Sequence, residues 1–202
     1  MINTNLGIKV EGFVKIYDPE TQEILVQKKN QIHYENMSQA LAYGLANQSQ
    51  NFVYEMHFGN GGTSIDPTGV ISYLPPNTVQ QNSQLYNDTY FKIVNDTSLL
   101  NTDPTRNKIT VLHTIGTTYT DILVSCLLDY GEPAGQAAFD NSQNLSESYV
   151  FDELGLKGYA TNGVAGAGPL LTHVIFHPVQ KSLNRLIQID YTVRISALSS
   201  GA

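Results

Sequence analysis

Apolar and polar residues alternate along Ile8-Lys-Val-Glu-Gly-Phe-Val-Lys-Ile-Tyr17, the period of an extended strand that turns every second side chain toward a core. Asp18-Pro-Glu-Thr21 supplies a turn. Glu23-Ile-Leu-Val-Gln-Lys-Lys29 returns as the antiparallel partner, because a short polar connection with proline favours a hairpin over a crossover. The period then changes. In Asn36-Met-Ser-Gln-Ala-Leu-Ala-Tyr-Gly-Leu-Ala46, Met37, Leu41 and Leu45 recur at spacings of four and predict one helix. Asn36 reads as its cap, and Gly44 weakens the last turn by about 1 kcal/mol relative to alanine. Phe52-Val-Tyr-Glu-Met-His-Phe58 is extended again and stops at Gly59-Asn-Gly-Gly62, where glycine permits positive φ and close backbone approach.

Residues 63–87 are polar and turn-rich, and Pro67, Pro75 and Pro76 break any long regular element. A connection of that length is expected to be functional or ordered by a neighbour, which makes it the first candidate for an arm between subunits. Further strand signals lie at Tyr90-Phe-Lys-Ile-Val94, Lys108-Ile-Thr-Val-Leu-His-Thr-Ile115 and Tyr119-Thr-Asp-Ile-Leu-Val-Ser-Cys-Leu-Leu128, the last two joined by a hairpin turn at Gly116. A second polar excursion over 131–148 is a second candidate contact loop. Beyond it come Phe151-Asp-Glu-Leu-Gly-Leu156, a glycine-rich break, and two apolar strands separated by a short basic turn around Lys181 and Arg185. One short helix and about eight strand candidates, with no regular strand-helix alternation, predict a mainly β fold. The expectation is an antiparallel β-sandwich with one short α-helix and long loops, a single domain over 1–202 with inserted loops at about 63–87 and 131–148.

Composition narrows the function. Hydrophobic residues at 41% supply a core, while only 14% are charged, so the surface is polar but sparsely ionised and suited to protein contacts. A net charge of −7 argues against direct nucleic-acid binding, which needs clustered Lys and Arg; Lys28-Lys29 and Lys181 with Arg185 do not reverse that. No apolar run reaches the roughly 18 residues of a membrane span, and Met1-Ile-Asn-Thr-Asn5 lacks a secretory signal, so synthesis in a cytoplasm is expected. Cys126 stands alone amid Ile122-Leu-Val-Ser-Cys-Leu-Leu128 and reads as a buried structural thiol. Asn-x-Ser/Thr triplets beginning at Asn36, Asn47, Asn87, Asn95 and Asn144 follow from composition.

Candidate chemistry dissolves on inspection. His173 and His177 have the helical spacing of a metal pair, but Val174-Ile-Phe176 and Pro178 point to a strand, which would hold the side chains about 13 Å apart. Gly163-Val-Ala-Gly-Ala-Gly168 is followed by Pro169 and a strand where a dinucleotide loop would need a helix. Gly59-Asn-Gly-Gly62 has the amides of an anion nest without the lysine or hydroxyl of a phosphate loop, and reads as a tight turn. Asp140-Asn-Ser-Gln-Asn144 lacks the glycine and distal glutamate of a calcium loop. No nucleophile elbow or Cys-His arrangement is present, so neither enzyme activity nor a cofactor is expected.

Two blocks carry a resemblance. The N-terminal hairpin around Gly12-Phe-Val-Lys-Ile-Tyr-Asp-Pro-Glu-Thr-Gln-Glu-Ile-Leu25, the Lys29-Asn30 junction, the helix and Phe58-Gly-Asn-Gly-Gly62 resemble the opening of tailed-bacteriophage virion structural proteins. Glu153-Leu-Gly-Leu156, Leu170-Leu171, Phe176, Lys181-Ser182 and the strand from Ile187 to Ile195 resemble their closing strands. The resemblance implies a non-enzymatic adaptor located in the virion, a homo-oligomeric ring in the neck or collar, the tail or the baseplate, with other virion proteins as partners. Tyr73, Pro75, Pro76, Tyr86, Tyr90, Phe139 and Tyr149 are then the candidate intersubunit contacts. The alternative is a receptor- or carbohydrate-binding fibre or spike domain, which would use the same exposed tyrosines.

Overall fold

A computed structural model describes residues 6–133 and 148–199; Phe139 and the candidate calcium loop at 140–144 lie outside the described residues, as does most of the 131–148 excursion. The predicted hairpin is β1 (Leu6–Tyr17) with β2 (Ile24–Ile32), in a register that sets Gly12 opposite Asn30 and Ile16 opposite Val26. Its turn is organised by Asp18, whose carboxylate accepts the N–H groups of Glu20 and Thr21 at 2.9 and 3.1 Å.

Helix α1 (Tyr34–Leu45) begins earlier than the apolar period indicates, because its cap is His33 and not Asn36. The His33 Nδ1 accepts the Asn36 N–H at 3.2 Å, taking the part usually played by a Ser or Asp oxygen. Asn36 is buried in the first turn, where its Nδ2 donates to the carbonyls of Leu170 and Gln81 at 2.8 and 3.2 Å.

Nine further strands follow: β3 (Val53–Gly59), β4 (Thr63–Ile65), β5 (Ile71–Tyr73), β6 (Asp88–Ile93), β7 (Lys108–His113), β8 (Tyr119–Leu128), β9 (Ser148–Gly158), β10 (Thr172–Ser182) and β11 (Ile187–Ser199). Strands β4 and β5 form a small hairpin of their own inside the segment read as a loop. The other nine make one antiparallel sheet in the order β6-β3-β9-β10-β2-β1-β11-β8-β7. The fold is therefore mainly β and sandwich-like, as expected, but its two layers are one curled sheet.

The curl is concentrated where β10 meets β2, a ladder of two pairs only, Thr172 with Ile32 and His173 with Gln31. On either side lie two well-paired panels, β7-β8-β11-β1-β2 and β6-β3-β9-β10. A bulge over His177 and Pro178, where the β9 register jumps between Ile175 and Val179, adds to the bend. The panels close on one apolar cluster: Val14, Ile16, Val124, Cys126, Ile189 and Tyr191 from the first meet Met56, Phe58, Phe151, Leu154, Val174 and Phe176 from the second. Cys126 is sealed there, and burial pushes its thiol up to about 12. The glycine-rich connection after β9 packs backbone on backbone; a Cβ at Gly168 would sit 1.6 Å from the Gly158 carbonyl oxygen.

Candidate functional site

The second panel has an unusual outer face. Alternation along β3 sends Met56 and Phe58 inward and Glu55, His57 and Gly59 outward, and the β9 ladder sets Lys157 beside Glu55 and Glu153 beside Gly59. Segments 60–87 and 159–169 roof this stripe, so its ionisable groups are buried.

Under one half of the roof, His57 bridges two carboxylates. Its Nε2 lies 3.0 Å from Glu55 Oε2 and its Nδ1 2.7 Å from Asp88 Oδ2, while the Phe91 ring stacks on the imidazole at 5.0 Å. Ionised carboxylates only accept, so both contacts are hydrogen bonds only when both ring nitrogens carry protons. Lys157 Nζ donates to Asp88 Oδ2 at 3.2 Å and to the Gly166 carbonyl at 3.1 Å, and the Gly166 N–H returns to Glu55 at 2.9 Å. Burial pushes the Asp88 carboxyl up, but the His57 and Lys157 contacts outweigh it and hold the group below the usual carboxylate range.

Under the other half, Asp152 and Glu153 grip the 60–87 segment by its backbone. Glu153 Oε1 accepts from Asn87 N at 2.8 Å and Gly61 N at 3.1 Å; Oε2 accepts from Tyr86 N and faces His173 Nε2, both at 2.9 Å. Asp152 accepts from Gly62 N and Thr63 N, each at 2.9 Å, and from the Thr63 hydroxyl. The amides after β3 thus do form an anion nest, and its anions are the chain's own carboxylates. Gly59 makes room, since a Cβ there would come within 2.4 Å of Glu153 Oε1. Burial raises Glu153, yet the His173 contact and three backbone donors bring it below its ordinary value; for Asp152 burial prevails and the carboxyl is raised.

Glu55, Asp152 and Glu153 are buried and each accepts backbone N–H groups, whereas Asp88 stays partly open to solvent; the arrangement holds backbone in place. His173 and His177 sit on β10 with separate partners, His173 with Glu153 and Asn77, His177 with the Tyr73 hydroxyl at 3.3 Å. The arm candidate is consequently tied to its own body along most of its length; His33 Nε2 also pairs with the Gln80 carbonyl at 2.7 Å. What it offers outward is its hairpin tip, with Ile65, Val70, Tyr73 and Leu74 exposed.

The predicted contact residues divide accordingly. Tyr73, Pro75 and Tyr86 share the arm's exposed surface, with the Tyr86 hydroxyl donating to the Pro75 carbonyl at 2.8 Å, and Pro76 is half-buried beside them. Tyr90 is half-buried against Phe58. Tyr149 is 1% exposed and bonded to the Thr89 hydroxyl at 2.6 Å: it occupies an inward position of β9, two residues before Phe151, and is closed to any neighbour. The clamp itself escaped the sequence reading because its members come from four separated segments. Its one local trace is the polar pair Glu55 and His57 at alternate positions of an otherwise apolar strand.

The first panel offers a different kind of surface. Beyond Gly12, Ile122 and Val193, strands β1, β11, β8 and β7 run on past the core as a four-stranded blade whose outermost strand, among the described residues, is β7. Ile8 is 59% exposed, Val111 66% and Ile115 96%, and Leu112 is exposed beside them. Arg194 stiffens the blade by pairing with both oxygens of Asp121 at 2.7 Å while lying 3.9 Å over the Tyr119 ring. Between the base of the blade and α1 runs a cleft of about 800 Å³ lined by Val10, Met37 and Leu41.

Among the described residues no helix is long and apolar enough to cross a membrane. Compared with protein-family models, with curated proteins and with solved structures, the chain finds no match in any of the three.

Proposed function

We propose that this chain is a non-enzymatic structural adaptor of a tailed-phage virion, repeated as a homo-oligomeric ring in the neck or collar, the tail or the baseplate. The terminal blocks that resemble such proteins motivate the class, and the blade supports it. Monomeric proteins blunt sheet edges with charge, proline or a covering element. Here β7 carries no charge between Lys108 and His113, and its apolar side chains stand in water on an edge beyond which no strand lies among the described residues. That exposed blade is the observation that carries the reading: a sister subunit laid on its core-side face would bury Ile8 and Val111 together, while Leu112 stands on the opposite face and Ile115 in the turn beyond β7. The clamp beneath the arm fits the same role, because its buried carboxylates hold the chain's own backbone rigid.

Sedimentation of the purified protein at micromolar concentration tests the proposal. The native chain is expected to form a discrete oligomer, and the double variant Val111→Lys, Ile115→Glu a monomer with unchanged circular dichroism, since both sites are exposed. A native chain that stays monomeric, or a variant that assembles as well as the native protein, would sink it. Imaging of particles, with the copy number of this chain, then places the ring.

A further inference from the structure

A second cavity, of about 340 Å³, opens between α1, the arm and the glycine-rich connection. Asn36, Gln39 and Tyr43 line it from the helix, Asn51 from the turn that follows, and Gln81 and Gln84 from the arm. No Asp, Glu, Lys, Arg or His is among the described residues that line it. The side-chain amides of Gln39, Asn51, Gln81 and Gln84 make no hydrogen bond to the described residues, so their donors and acceptors are free for a guest.

The walls are preset. Asn36 and His33 pin the arm at Gln81 and Gln80, and Glu153 pins it at Tyr86 and Asn87. The backbone of that wall is therefore fixed before a guest arrives, and only the amide side chains remain to be ordered.

We infer that this cavity binds a neutral saccharide unit. An amide presents a donor and an acceptor side by side, matching hydroxyl groups that give and take hydrogen bonds. A lining without charge offers nothing to select an ionic ligand. The Tyr43 ring supplies the apolar surface that covers a sugar face, and the volume, at the small end of ligand sites, suits roughly one or two sugar rings. The inference stands apart from the adaptor reading and needs no oligomer.

The test is nitrogen-15 NMR of the intact chain titrated with glucose, galactose, mannose, N-acetylglucosamine and their disaccharides up to about 50 mM, a range suited to millimolar affinity. Glucuronic acid serves as the charged control. At least one neutral sugar is expected to give saturable shifts at Asn36, Gln39, Asn51, Gln81 and Gln84. Affinity should fall about tenfold or more in the double variant Gln39→Ala, Tyr43→Ala, and vanish in Ala167→Trp, which fills the cavity from an exposed lining position, both with native thermal stability. The inference is overturned if no neutral sugar gives saturable shifts there, if both variants keep native affinity, or if glucuronic acid binds as tightly as the neutral sugars.

Discussion

Glu153 and Lys181 are fully buried charges on neighbouring strands, and the fold treats them in opposite ways. Glu153 collects three backbone N–H groups and His173, so its folded value lies below the unfolded 4.5. Its stabilising contribution is therefore complete above that pH and is lost as pH falls through the folded value. Glu153→Gln should cost about 2–4 kcal/mol in urea unfolding at neutral pH and expose the 60–87 segment to limited proteolysis. Lys181 is pushed down from 10.5 to about 8, first by burial, with the Glu132 and Asp129 carboxylates pulling weakly the other way, and its Nζ donates to the Ser182 carbonyl at 2.8 Å. Between pH 8 and 10.5 the unfolded chain binds more protons than the folded one, so this lysine makes stability rise with pH across that window. Lys181→Met should accordingly stabilise the protein by about 1–3 kcal/mol at pH 7, with a gain that shrinks as pH approaches 10.5. An undiminished gain at high pH would contradict the assignment.

Strands β1 and β11 were legible because each has one face on the core, which writes an alternation into the sequence, whereas β3 and β8 stood out as apolar runs. The helix was legible from Met37, Leu41 and Leu45, but its start was not, since an imidazole cap at His33 belongs to no sequence preference for caps. The ties of the arm to its own body were not legible for a related reason: the groups that hold it are backbone N–H donors, which every residue carries, and their acceptors, Asp152 and Glu153, lie 66 to 92 residues away. Helix α1 offers a clean test of element-level energetics. A Cβ added at Gly44 would meet nothing within 4 Å, so Gly44→Ala should raise stability by about 0.5–1 kcal/mol in denaturant titration. His33→Ala removes both the cap and the Gln80 contact and should cost about 1–2 kcal/mol, with faster hydrogen exchange at Asn36.

At the scale of the molecule, the sandwich-like class followed from the absence of strand-helix alternation, whereas the single curled sheet did not, because the short β2-β10 ladder leaves no mark in periodicity. The amide-lined cavity was equally hidden: its Asn and Gln residues belong to the general polar composition until the fold gathers them. Although two pairs alone join the panels, both draw on one apolar cluster, so unfolding should be a single transition. Far-ultraviolet and tyrosine near-ultraviolet circular dichroism are expected to coincide in urea, and separate midpoints would show that the panels melt independently. The position of β11 between β1 and β8 bears on how the protein is made. Residues 6–17 and 119–128 leave the ribosome long before residue 187 exists, and they have no shared partner until the chain has emerged through residue 199. The nascent polypeptide must wait for that stretch before its central ladder can zip, a delay typical of long-range β pairing.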